Sequence, residues 1–105
     1  MMYMITFHTT SSDPARREAF EAAVKGLGNW SNRMPGVWLV ESKASAPQIR
    51  DFLKQHLGPA DAFFIARITK NWAGRNLGEN FPGWMGRRDF GTFAAAPATE
   101  GEGQN

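Results

Sequence analysis

The stretch Asn29-Trp30-Ser31-Asn32-Arg33-Met34-Pro35-Gly36-Val37-Trp38-Leu39-Val40-Glu41-Ser42 decides the fold of this chain. Val37 to Ser42 is rich in β-branched and aromatic residues, Asn29 to Met34 is a shorter strand candidate, and Pro35-Gly36 between them is a turn dipeptide. Two such runs joined by such a turn predict a β-hairpin.

On the N-terminal side, Tyr3, Ile5 and Phe7 alternate with Met4, Thr6 and His8, the period of a strand with one apolar face. The polar stretch Thr9 to Pro14 ends that strand, with Asp13 placed as an N-cap and Pro14 at the first helical position. Ala19, Phe20, Ala23, Val24 and Leu27 then recur at helical spacing, which predicts a helix over about Asp13 to Leu27 with Gly28 as its left-handed C-terminal cap.

On the C-terminal side, Ser45 to Gln48 matches the S-x-x-Q capping box, and Ile49, Phe52, Leu53 and Leu57 form the apolar stripe of a second helix that stops at Gly58-Pro59. Ala62 to Ile68 is apolar and β-rich, as expected of a strand buried on much of both faces. Strand, helix, hairpin, helix, strand predicts an α+β domain of the ferredoxin-like βαββαβ kind, an antiparallel sheet with two helices on one face. Its bounds are 1–90. Residues 91–105, with two Glu, no base and mostly small residues, are expected to form a flexible acidic tail.

The 105 residues, 42% of them apolar, suffice for one domain with a two-layer core. The absence of cysteine excludes a disulfide framework, a thiolate zinc site and a cysteine nucleophile, and fits a cytoplasmic protein. The longest apolar run, Ala62 to Ala66, is far shorter than the roughly 20 residues that span a bilayer, and the N-terminus carries no signal-peptide pattern, so no membrane partner is expected. Net charge is +2, but without the tail the chain has 12 basic and 8 acidic residues.

Leu27-Gly28-Asn29-Trp30, Val37-Trp38-Leu39-Val40, Gln48-Ile49-Arg50-Asp51-Phe52-Leu53 and a last strand leading to Asn71-Trp72-Ala73-Gly74, in this order, resemble the SinR-like proteins. These are small ferredoxin-like relatives of the CRISPR adaptation subunits and of the VapD-type ribonucleases. The resemblance covers about Tyr3 to Trp84 and implies a homodimer with any catalytic or nucleic-acid surface at the dimer interface. In better-studied branches the first strand ends in an aromatic residue followed by an Asp that helps hold a divalent metal. Phe7-His8 stands there in this chain. An imidazole is a poor substitute for the hard oxygen that magnesium needs, although manganese or zinc accepts one, with Asp13 as the nearest second ligand.

Three features carry candidate chemistry. His8, with Asp13, is either a metal ligand or general base duplicated across a dimer axis, or a strand-end residue bonded to the following loop. Thr9-Thr10-Ser11-Ser12-Asp13 offers hydroxyls ahead of a helix, for a phosphate or for capping. The segment Gly74 to Phe93 interleaves Arg75, Arg87 and Arg88 with Phe81, Trp84, Phe90 and Phe93, and reads as a single-stranded nucleic-acid surface, a protein interface, or a cover for the open sheet face. His56 suits a helix C-terminus, and Asp51, Asp61 and Glu79 read as solvated or salt-bridged surface.

The leading expectation is a non-catalytic dimeric module that binds nucleic acid or a protein through Arg67, Lys70, Trp72, Arg75, Trp84, Arg87 and Arg88, with no cofactor. The alternative is a metal-dependent nuclease with catalytic His8 and Asp13, for which alone a divalent metal is needed.

Overall fold

A computed structural model describes residues 1–10 and 12–92. The chain runs through β1 (Met2–His8), α1 (Pro14–Lys25), β2 (Trp30–Met34), β3 (Val37–Glu41), α2 (Ala46–Leu53), a 3-10 turn (Lys54–His56), β4 (Ala62–Ile68) and a short α3 (Phe81–Gly86). The four strands form one sheet in the order β2-β3-β1-β4, with each neighbouring pair antiparallel. The expected tail lies outside the described residues from 93 onward.

Register sets the two faces. Ile5 stands opposite Trp38 of β3 and Ile65 of β4, and Tyr3 opposite Val40, so one parity of each strand lines a single face. On that face Tyr3, Ile5, Trp38 and Val40 pack with Phe20 and Val24 of α1 and Ile49 and Leu53 of α2 into the main core. Both helices therefore cover the same side of the sheet. The Tyr3 hydroxyl, buried with its ring, is satisfied by donating to the Ala44 carbonyl at 2.6 Å.

The opposite face is covered at one end only. Met2 packs there with Phe81, Met85 and Phe90, and Leu39, Ile68, Leu77 and Trp84 close around them. Covering the open sheet face, one of the roles weighed for the aromatic segment after β4, is performed by Phe81, Trp84 and Phe90.

Local chemistry explains most element ends. Asp13 Oδ1 accepts the Ala15 N–H at 3.0 Å to cap α1, and Ser45 and Gln48 make both halves of the capping box on α2. In three places the structure departs from the sequence reading. Helix α1 stops at Lys25 with right-handed Gly26 as its cap, and Gly28 instead sits with φ +156 where a Cβ would collide with the Glu41 carbonyl, allowing the chain to pass close to β3. Phe52 is 43% exposed, because α2 turns only Ile49 and Leu53 inward. Strand β4 is an edge, not a strand buried on both faces: Phe63 and Ile65 reach the main core while Phe64, 60% exposed, faces the half of the sheet that α3 leaves bare.

Candidate binding surface

His8 is the last residue of β1, opposite Ala62, and its side chain is exposed beside a shallow depression lined by Thr6, Phe7, Ala62, Phe63 and Phe64. That depression contains no second acid or base. Asp13 directs its carboxylate to the first turn of α1. Among the described residues no three His, Asp or Glu side chains gather where they would hold a metal ion.

The Thr9 and Thr10 hydroxyls of the loop after β1 converge on a carboxylate rather than on a vacant anion site. Thr9 Oγ1 (3.1 Å), Thr10 N–H (2.8 Å) and Thr10 Oγ1 (3.2 Å) all donate to Asp61 Oδ1, while Gly58 N–H (2.8 Å) and Arg16 Nη1 (3.3 Å) reach Oδ2. The Asp61 side chain has 0% exposure, so it is a shielded junction between its own loop, the loop after β1, and α1 rather than a solvated surface acid. The Thr10 and Gly58 N–H groups, in that order, hold its pKa far below the usual carboxylate range against the opposing effect of burial.

The cations singled out in the sequence divide into two groups. Arg67 Nη2 donates to the carbonyls of Phe90 (2.9 Å) and Thr92 (3.2 Å), fastening the end of the described chain to β4. Arg88 is 11% exposed, pairs with Glu41 at 3.2 Å, donates to the Trp84 carbonyl and lies 4.7 Å from the centre of the Trp84 ring. Trp84 itself stacks on Phe81. Arg67, Arg88 and Trp84 are thus spent on holding α3 and the segment after it to the sheet. Lys70, Arg75 and Arg87 are exposed and make no side-chain hydrogen bond or ion pair among the described residues, and Trp72, 37% exposed, meets Phe81 edge-on at 5.4 Å.

Between these groups runs an apolar groove of about 200 Å³. Its floor is the sheet, through Met4, Val37, Leu39 and Ile68; one wall is Trp72, Ala73, Leu77, Phe81 and Met85, and the other is Ser31, Arg33 and Met34 of β2. Sequence reasoning singled out Trp72 here but missed Ser31 and Arg33. The register of β2 against β3 shifts between Ser31 and Met34, which brings Met34 to the groove beside Ser31 and Arg33 against the alternation of the strand. The available signal was a lone cation in a strand ending at Pro35-Gly36. No family model, curated protein or solved structure matches the chain.

Proposed function

We propose that the chain is a homodimeric, non-catalytic ferredoxin-like module that binds nucleic acid, of the kind to which the SinR-like proteins and CRISPR adaptation subunits belong. The single observation that carries this reading is the set Lys70, Arg75 and Arg87, three exposed cations without a side-chain partner among the described residues, on the segment that also presents Trp72. Cations for phosphates beside a ring for a base is the arrangement that single strands require. The strand order β2-β3-β1-β4, with a helix after β1 and after β3, supports the fold assignment. Dimerisation is supported by the bare half of the sheet, where Phe64 is 60% and Met34 49% exposed. A metal-dependent nuclease built on His8 and Asp13 draws no support from this geometry, because the Asp13 carboxylate caps a helix.

Fluorescence anisotropy with single-stranded and duplex oligonucleotides at two salt concentrations tests the reading. Binding at low salt that weakens steeply with salt is expected, and replacing Lys70, Arg75 and Arg87 with Ala together should weaken it at least about tenfold and flatten the salt dependence. Absence of binding at low salt overturns the nucleic-acid reading and leaves a protein partner for the same surface.

A further inference from the structure

The groove beside Trp72 has a property that the cationic surface does not use. Its lining is mostly apolar, yet two polar side chains on it have no partner among the described residues. Ser31 is 8% exposed, lines the groove, and makes no side-chain hydrogen bond among the described residues. Arg33 makes no hydrogen bond or ion pair among them either, and its guanidinium lies against Gly78 on the opposite wall, so close that a Cβ there would collide with it. The cation thus crosses from β2 to the loop after β4, over the side of an apolar trough.

The Ser31 hydroxyl is not sealed from solvent, so it remains available to a ligand in the groove, and a guanidinium held beside an apolar wall is matched by a planar anion. Gly78, at φ +99, leaves the space that the guanidinium occupies. The volume, about 200 Å³, is smaller than the roughly 300–1,000 Å³ of sites for drug-sized molecules, so the body of the ligand is short.

We propose that this groove binds a small amphipathic carboxylate, whose apolar body, a short chain or a single ring, lies along Met4, Leu39 and Met85 while its carboxylate pairs with Arg33 and accepts from the Ser31 hydroxyl. Charge complementarity selects this class over a neutral hydrophobe or an amine. Lys70, Arg75 and Arg87 do not line the groove, so although Trp72 belongs to both surfaces, replacing those three cations separates nucleic-acid binding from carboxylate binding.

Titration of the full chain with octanoate, followed by two-dimensional amide NMR, is the test, with octanamide and octylamine as neutral and cationic controls. Saturable octanoate shifts at Ser31, Arg33, Leu39 and Leu77 are expected, with at least tenfold weaker binding of both controls. Arg33→Gln, on an exposed side chain whose loss leaves the core intact, should weaken octanoate at least tenfold and leave octanamide unchanged. Val37→Phe should block the groove to all three probes, and Ser31→Ala, which keeps the volume, should weaken octanoate alone. Equal affinity for the three probes, octanoate binding indifferent to Arg33→Gln, or no saturable shifts in the wild type would each overturn the proposal.

Discussion

Glu41 Oε1 and Arg88 Nη1 lie 3.2 Å apart although 47 residues separate them in the chain, and this pair fastens α3 to the end of β3. The same carboxylate accepts from Asn29 Nδ2 at 2.8 Å and from the Asp89 N–H. One side chain thus ties the entry of β2, the end of β3 and the exit of α3. Arg88 is further fixed by its bond to the Trp84 carbonyl and its position over the Trp84 ring, so breaking the pair also frees an aromatic contact.

Glu41→Ala is therefore expected to cost about 2 kcal/mol, the usual scale for hydrogen bonds to a charged group. The loss should be uneven. Because Phe81, Met85 and Phe90 form a cluster separate from the main core, amide exchange should accelerate most over Phe81 to Arg88 and least over α1 and β1. Urea unfolding gives the total and hydrogen exchange the distribution; uniform acceleration across the chain would show that α3 is not a separate unit.

Gly28 offers a sharper contrast. A side chain there meets the Glu41 carbonyl and is also strained at φ +156, whereas Gly36 at φ +74 in the β2–β3 turn has nothing within 4 Å of a built Cβ. Gly36→Ala should cost about 1 kcal/mol, from backbone strain alone. Gly28→Ala should cost more than about 2 kcal/mol, because the β2 entry must move away from β3. Thermal unfolding of the two variants side by side measures the difference.

What the sequence reveals about this chain follows from how local each cause is. Alternation in β1, the Pro35-Gly36 turn and the Ser45–Gln48 box are satisfied within a few residues, and the structure shows all three where the sequence places them. Whether β4 is central or an edge is not local: Ala62 to Ile68 has the same composition in either place, and only its pairing with β1 alone makes Phe64 a surface residue. The cations show the same division. Nothing near Arg88 distinguishes it from Arg87, since the partner that uses it, Glu41, arrives from another strand. Ser31 and Arg33, two residues apart in β2, share a face by alternation and Ser31 stands opposite Leu39, but that this face is walled by Trp72, Leu77 and Phe81 depends on the distant segment after β4.

Asp13 separates a structural from a catalytic role in one pair of variants. As the N-cap of α1, it should lose about 1 kcal/mol of stability on replacement by Ala and recover most of that on replacement by Ser, which also accepts the Ala15 N–H. A catalytic carboxylate would not be rescued by Ser. Thermal unfolding of Asp13→Ala and Asp13→Ser, with an RNA-cleavage assay containing manganese on the same samples, tests both roles; cleavage by wild type that Ser fails to restore would favour the nuclease.

Acid should act first on two carboxylates. Folded Glu41 is held below its ordinary value of 4.5, chiefly by the Asn29 side chain and then by the Asp89 N–H, and Asp61 far below its ordinary 3.8, by the N–H groups of Thr10 and Gly58. Since both folded values lie beneath the unfolded ones, the unfolded chain takes up protons first as pH falls. Their stabilisation is thus complete above the unfolded values and is lost progressively below them. The urea midpoint should hold down to about pH 5 as far as these two groups are concerned, then fall, with Asp61 extending the loss to the lowest pH. Asp61→Asn removes the charge but leaves an acceptor for Thr10, so it should lower Tm by on the order of 5 °C near neutrality. Its curve should converge toward that of wild type below about pH 4, where Asp61 of the unfolded chain takes up its proton and the stabilisation from the charge fades. Urea titrations of both proteins between about pH 2 and pH 7 are the measurement, and parallel curves over that range would show that the charge of Asp61 contributes nothing to the junction of the two loops with α1.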